Sequence, residues 1–365
     1  MKKVFIGIIG CGVISNTYIK DIKRLYPELV IRALADIEPE KAREYAAIYG
    51  VLEAMTVEEI LRDSAIEIIV NLTPPVFHAD LNRRILEAGK HVFCEKPLAL
   101  SLRDAIMLCD FAEDQKLRIG CAPDTFLGSS LMTCKKLLED GWIGKPLSVC
   151  ANMMNHGVET WHTNPYPFYE EGGGPLFDMG PYYFSLLLHL FGRVKEVQAI
   201  GGCGFEERMI ESMPHKGEKI QVKTPTHYAV LLKMEKGILV NMNFSFDIWK
   251  STMPMMEIYG TEGTLSVPDP NLSGGTPKVY RREQKLAEIR GGSCEQPDAF
   301  YEIPELYQNV GSYTRGKGIW ELAQAIQLDT RHQTNGRFAT HVVEIITGIM
   351  ESVKTQAVYQ MKTQY

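Results

Sequence analysis

A glycine-bearing turn, Gly10-Cys11-Gly12-Val13-Ile14-Ser15, follows the apolar run Val4-Phe5-Ile6-Gly7-Ile8-Ile9 and precedes a stretch with helical spacing. Few sequence features restrict a fold as much. A strand, a tight G-x-G-x-x-S turn and a helix in succession open a parallel βαβ unit. Asp36 ends the next apolar run, at the separation of about 20 residues where such a unit sets an acid against a ribose. Gly10 and Gly12 let backbone approach a pyrophosphate, whose charge is held by N–H groups at a helix start. Ser15 is small enough for tight helix packing. The pattern points to a bound dinucleotide, with Gly10, Gly12, Val13, Ile14 and Asp36 as its contacts. Asp36 would accept from ribose hydroxyls and repel a 2′-phosphate, and no arginine follows at Ile37 or Glu38, so NAD is expected ahead of NADP.

The rest of the first third repeats the alternation. Apolar runs at 3–9, 29–35, 66–72, 91–94 and 117–121 are separated by amphipathic stretches, among them a helix opened by Pro39 and helix-like spacing over 77–88 and 102–112. Strand and helix in alternation predict an α/β doubly wound parallel sheet, a Rossmann domain over residues 1–123. After Ala122-Pro123 the pattern changes: one helix over 127–139, then long alternating segments with hairpin signals at Glu235-Lys236-Gly237 and Gly260-Thr261-Glu262-Gly263. Residues 124–365 therefore read as a second, α+β domain with a large, mainly antiparallel open sheet. Residues 268–312 form a Gly- and Pro-rich excursion with short strands, and two amphipathic helices, 319–328 and 338–353, close the chain and can pack back on the first domain. Two domains suit 365 residues, at about 100 to 200 residues each.

Composition excludes several classes. With 45% hydrophobic and 23% charged residues this is a globular composition. A net charge of -6 and a pI near 5.9 argue against a nucleic-acid partner or an anionic membrane surface. No segment has the apolar length to span a bilayer. The start of the chain, Met1-Lys2-Lys3 and an apolar run up to Cys11, superficially resembles a lipoprotein signal, but that run is shorter than a usual signal core. Eight cysteines without a C-x-x-C pair read as reduced core residues of a cytoplasmic protein, and nine histidines without ligand spacing give no metal site.

Three further stretches carry chemistry. Glu95-Lys96-Pro97 ends the short strand His91-Val92-Phe93-Cys94; Pro97 stops the ladder, and the residue before a proline is held extended, so Lys96 projects from the sheet edge away from Glu95. Asn71-Leu72-Thr73-Pro74-Pro75 lies at the matching end of another strand, which adds Asn71, Thr73 and Pro74 as cofactor contacts, with Glu95 and Lys96. His78 is either a further contact or a helix-terminus or core residue. The stretch from Glu171 to Tyr183 holds three consecutive glycines before an apolar helix, on which Asp178 and Tyr182 would share a face. Asp178 reads equally as a helix cap. Between these elements, Asn155 to Tyr169 is rich in aromatic, His and Asn side chains, which suit the C–H faces and hydroxyls of a polyhydroxylated ligand. His156, Trp161, His162, Asn164 and Tyr169 are its candidate contacts, unless the segment is a proline-stiffened structural loop.

With these residues in hand the chain resembles the Gfo/Idh/MocA oxidoreductases, relatives of glucose-fructose oxidoreductase, inositol dehydrogenase and dihydrodiol dehydrogenase. The resemblance is carried by Gly10 to Ser15, Glu95-Lys96-Pro97, Gly172 to Tyr182 and Gly260-Thr261-Glu262-Gly263-Thr264-Leu265. It implies hydride transfer between NAD and a sugar or polyol carbinol, the lysine in the active site, and a homodimer or homotetramer formed through the second domain's sheet. Many members carry histidine where this chain has Tyr182; members similar to dihydrodiol dehydrogenases carry tyrosine. Lys96 and Tyr182 are expected to bind the reacting oxygen and pass its proton, with Asp178 orienting substrate or supporting Lys96. Two other functions fit the same residues: an NAD-dependent glycosidase that oxidises its sugar transiently, and a sugar-pathway regulator that binds NAD without turnover.

Overall fold

The computed structural model describes residues 2–289 and 299–365. The chain opens with β1 (Val4–Ile9), α1 (Val13–Leu25), β2 (Leu29–Ala35), α2 (Pro39–Tyr49), β3 (Glu53–Ala54), α3 (Val57–Arg62), β4 (Ile68–Asn71), α4 (His78–Glu87), β5 (His91–Cys94), α5 (Leu102–Asp114) and β6 (Ile119–Cys121). It continues with α6 (Ser129–Glu139), β7 (Pro146–Met154), α7 (Gly174–Phe191), β8 (Val194–Gly202), β9 (Glu207–Met209), β10 (Lys219–Gln221), β11 (His227–Met234) and β12 (Leu239–Ser245). The remainder is β13 (Met256–Gly260), β14 (Gly263–Val267), β15 (Lys278–Arg281), α8 (Arg282–Ile289), β16 (Tyr301–Glu302), α9 (Lys317–Leu328), α10 (Gly336–Thr355) and β17 (Tyr359–Gln360). Two compact units result: Met1–Leu127 with Tyr313–Glu344 and Thr363–Tyr365, and Gly128–Ser312 with Ile345–Lys362.

The first unit is a six-stranded sheet in the order β3-β2-β1-β4-β5-β6, every pair parallel. Its strands are apolar on both faces because both are covered. Val4, Ile6 and Ile8 face a core shared with α1, α2 and α9, while Ile9, Ile69 and Val92 face one shared with α4 and α5. Sequence alone puts the boundary after residue 123 and lets the C-terminal helices pack back on the first domain; the compact unit runs to Leu127 and takes in Tyr313–Glu344. The physical reason is a surface that needs covering. Ile319, Leu322 and Ala323 of α9 complete the core around Phe93. Asp124, fully buried, accepts the Gly316 and Gly318 N–H groups at 2.9 Å each and fixes where that helix starts.

The second unit is built on a nine-stranded sheet in the order β16-β15-β14-β13-β7-β12-β11-β8-β17. One pair in it, β12 with β7, is parallel; the others are antiparallel. Both hairpin signals lie at turns, between β11 and β12 and between β13 and β14. Alternation is clean along β11, where Tyr228, Val230 and Leu232 are buried and Leu231 is exposed. The excursion over 268–312 holds β15 and β16 as short strands and also the helix α8, where Glu, Gln, Lys, Leu and Ala follow one another, all good helix formers. Part of it, with Cys294, lies outside the described residues. Of the other cysteines, Cys203 departs from the expected core role: it is exposed just past the end of β8, whereas the remaining six are buried. No helix among the described residues is long and apolar enough to cross a membrane.

Truncating Leu322 to Ala should open a cavity in the first unit's core and lower its stability by about 2–5 kcal/mol. Denaturant unfolding of the Leu322→Ala protein checks this, and an unchanged midpoint would mean that α9 does not complete that core.

Candidate active site

Parallel register sets the geometry of the dinucleotide edge. Ile9 pairs with Ala35 on one side and Asn71 on the other, Asn71 pairs with Cys94, and Cys94 pairs with Cys121. Those residues end their strands, so Gly10, Asp36, Leu72-Thr73 and Glu95-Lys96 all leave the sheet along one line, where ligands of such sheets gather.

At the fingerprint, Gly10 has φ +103°, and a Cβ there would lie 2.7 Å from the Leu72 backbone. No other residue type fits that approach. A Cβ on Gly12 would meet nothing within 4 Å and its φ of -77° is open to any residue, so the fold does not require glycine there. Gly12 precedes α1 without a capping side chain, which leaves N–H groups of the first turn to an anion. Ser15, fully buried, donates its hydroxyl to the Gly12 carbonyl at 2.6 Å and braces the turn. Asp36 accepts the Cys11 N–H at 2.7 Å on one carboxylate oxygen and the Glu38 N–H at 3.0 Å on the other. Each oxygen retains acceptor capacity for a ribose hydroxyl. Val13 and Ile37 are 73% and 93% exposed beside these groups, apolar surface of the kind an adenine ring or a sugar edge covers. These features fit NAD: Val13 and Ile14 would hold its pyrophosphate and Asp36 its ribose.

Three residues expected at the cofactor are turned elsewhere. Asn71 is fully buried; its carbonyl oxygen accepts from the Thr73 N–H at 3.1 Å and hydroxyl at 2.7 Å, and its amide donates to Asn82 at 2.9 Å. It shapes the turn that presents Thr73 and Pro74. Glu95 is buried, accepting the Tyr18 hydroxyl at 2.8 Å and the Lys96 N–H at 2.9 Å. His78 is fully buried between two backbone carbonyls. In each case an unpaired polar group inside the unit would be too costly, and the side chain serves the fold. Lys96 stays at the edge, half-buried, followed by a cis peptide bond to Pro97.

In the second unit Asp178 and Tyr182 lie one turn apart on α7, so they share a face. Asp178 is the fifth residue of that helix and does not cap it. Pro181 lies inside the helix and removes one ladder bond, to the Phe177 carbonyl. The glycines ahead of it have a packing reason: a Cβ on Gly173 would lie 2.5 Å from the Pro167 carbonyl oxygen.

The aromatic segment after β7 is held by a buried cation. Arg208 on β9 donates to the Glu159 carboxylate at 2.8 Å and to the His156 carbonyl at 3.1 Å, and also reaches Asp247 and the Phe246 carbonyl. Arg208 and Glu159 are each 3% exposed. Tyr169 is fully buried and gives its hydroxyl to Glu159, so it anchors the segment and does not line a ligand site as expected. The outward side holds the other candidates. His156 stacks on Trp249 at 3.3 Å between ring centroids with Phe205 edge-on; Trp161 and Phe168 flank His162, whose Nδ1 accepts the exposed Asn164 N–H at 3.0 Å. Arg208, Trp249 and Phe205 were not singled out from the sequence, because each is distant along the chain from the segment it touches. Among the described residues, no three His, Cys, Asp or Glu side chains form a group able to hold a metal ion.

Residues 4–122 match a family model described as "Oxidoreductase family, NAD-binding Rossmann fold", and residues 131–266 match the "GFO/IDH/MocA C-terminal domain". Curated relatives include a myo-inositol 2-dehydrogenase of Thermotoga maritima, 24% identical over 71% of this chain and 74% of its own length. A trans-1,2-dihydrobenzene-1,2-diol dehydrogenase of Danio rerio is 26% identical over 73% of this chain and 81% of its own. Among solved structures, a levoglucosan dehydrogenase in complex with NADH and L-sorbose superposes with a TM-score of 0.81 at 20% identity, over 100% of both chains. That likeness speaks to the fold.

The two glycines of the turn should separate on substitution. Gly10→Ala is expected to cost about 1–3 kcal/mol of stability through backbone strain. Gly12→Ala should keep the native melting temperature and weaken NADH binding at least roughly tenfold, because its Cβ would occupy the open space where the pyrophosphate approaches the backbone and lengthen a hydrogen bond to it. Thermal unfolding beside fluorescence titration with NADH checks the pair; undiminished affinity in Gly12→Ala would overturn the placement of the pyrophosphate.

Proposed function

The chain belongs to the Gfo/Idh/MocA oxidoreductases and is an NAD-binding enzyme of that family; from there we propose that it moves hydride between nicotinamide and a carbinol or carbonyl carbon of a sugar, polyol or glycoside. The observation that carries this reading is Lys96. It leaves the sheet on the same line as the fingerprint, while its neighbour Glu95 is turned inward and held by Tyr18, so the carboxylate side chain is committed to the fold.

In this reading the Lys96 ammonium and the Tyr182 hydroxyl hold the reacting oxygen. As the carbinol is oxidised, the O–H proton passes to one of them and negative charge on oxygen is stabilised by the ammonium. Asp178, on the same helix face as Tyr182, orients the substrate or supports Lys96. Bound NAD supplies the hydride acceptor for oxidation, and NADH the donor for reduction. His156, Trp161, His162 and Asn164 contact the substrate's C–H faces and hydroxyls, joined by Trp249, and Arg208 keeps their backbone in place. The relatives named above act on an inositol and a diol, and vicinal carbinols are the shared chemistry.

Nicotinamide absorbance followed over a panel of sugars, polyols and glycosides tests the assignment. Lys96→Ala and Tyr182→Phe should each lower kcat by about 10²–10⁴-fold with NADH affinity retained. Near-normal turnover by Lys96→Ala would sink the mechanism, and aglycone release without NADH accumulation would reassign the enzyme as a glycosidase.

The same reading has the chain self-associate through the open face of its large sheet, where Ile200, Leu231 and Leu239 are 78%, 56% and 58% exposed. Sedimentation velocity should show a dimer or tetramer that Leu231→Asp shifts to monomer; a monomeric native protein would refute it.

A further inference from the structure

His78 opens α4 and is entirely buried, yet both of its ring nitrogens are engaged. Nδ1 lies 2.6 Å from the Pro97 carbonyl oxygen and Nε2 lies 2.7 Å from the Thr73 carbonyl oxygen. A carbonyl only accepts, and a neutral imidazole carries one N–H. Two such bonds require two N–H groups, so the geometry describes an imidazolium.

A buried cation needs a counter-charge. The sulfur of Cys94, fully buried at the end of β5 and interacting with the ring, is the group placed to supply it. Cys121, its register partner on β6, is kept a thiol by burial and lies against that sulfur, its S–H also within reach of the Ala122 carbonyl at 3.2 Å and the Glu95 carbonyl at 3.7 Å, and the Asn82 amide of α4 faces it too. Burial pushes the Cys94 thiol up, but the Cys121 thiol, the imidazolium and Asn82 outweigh it and hold Cys94 below the ordinary thiol range. Burial likewise pushes His78 down, and the Cys94 charge with the two carbonyls outweighs it, raising the ring to about 9. Cys94 is the titratable group with the largest effect on the ring, with Cys121 behind it. Near it, β4 and α4 contribute the uncharged amides of Asn71 and Asn82.

We propose that His78 is a positioning residue, a doubly protonated clasp that ties the loop presenting Thr73 to the loop presenting Lys96, with the Cys94 thiolate as its internal counter-ion. It rests on the reading of those loops as the dinucleotide and reaction edge. Both bonds hold while the ring keeps two protons. One is lost as pH rises through about 9, and the two loops are then no longer tied to each other.

NADH affinity titrated against pH, together with heteronuclear NMR of the imidazole nitrogens, tests this. The native protein should carry protons on both His78 nitrogens at neutral pH and lose NADH affinity roughly tenfold across the transition, the worth of one charged hydrogen bond. Cys94→Ala should move the transition to lower pH, because an imidazolium without its counter-ion gives up a proton sooner. His78→Gln, whose amide N–H can serve one carbonyl only, should bind more weakly at neutral pH and show no transition. A singly protonated ring at neutral pH, a pH-independent affinity in the native protein, or an unmoved transition in Cys94→Ala would each overturn the clasp. Should His78→Gln fail to fold, the native and Cys94→Ala measurements decide. A native protein that binds no NADH would instead refute the cofactor reading, and the NMR result would still decide the protonation.

Discussion

Alignment of the parallel strands at their carboxyl ends is the constraint on which the functional half of this molecule depends. Because Ala35, Ile9, Asn71, Cys94 and Cys121 form an unbroken row of paired residues, the backbone segments that follow all emerge at one level of the sheet. The β1–β2 pair shifts register once, between Ile6 and Gly7, and still brings Ile9 opposite Ala35; a slip at the strand ends themselves would displace the turn beyond. The Gly10 turn has the tightest demand, since it passes against the Leu72 backbone at a distance that a Cβ does not permit. Cofactor chemistry is thus a consequence of hydrogen-bond register before it is a matter of any one side chain.

Behind that edge lies a layer of buried polar groups, and it explains why motif residues divide into two kinds. Asn71, His78, Glu95 and Asp124 are all at least nine-tenths buried and each is held by backbone or a neighbouring side chain, Asp124 through Oδ2 while its Oδ1 has no hydrogen-bond partner among the described residues. They hold turns in place. Asp36, Thr73 and Lys96 stay partly accessible and are the ones left for ligands. A similar division occurs in the second unit, where Arg208, Glu159 and Tyr169 form the interior of a segment whose outward side carries Trp161 and the His156–Trp249 stack. In both places a low-dielectric polar network gives a loop one conformation, and the neighbouring accessible groups inherit that precision.

The α/β alternation of the first third, the glycine turn, the proline after Lys96 and the hairpin turns of the large sheet were all legible along the chain, since each is enforced by neighbours in sequence. Asp178 and Tyr182 could be placed on one helix face for the same reason, even with Pro181 inside α7. What was not legible depended on distant partners. Nothing in Glu95 or His78 distinguishes a cofactor ligand from a buried brace, because the partners that decide it, Tyr18 and the Pro97 carbonyl among them, lie 77 and 19 residues away. The exposure of Cys203 and the burial of Tyr169 were missed on the same ground.

By itself the sequence determined the alternation of strands and helices in the first third, the dinucleotide turn with its acid, and the position of a lysine at a strand's end. These follow from backbone sterics and from apolar periodicity, which act over a few residues. Tertiary structure alone decided which polar residues of the motifs face a ligand and which are consumed in holding the edge together. That choice is made by burial, and burial exists only once segments remote in the chain have closed over one another.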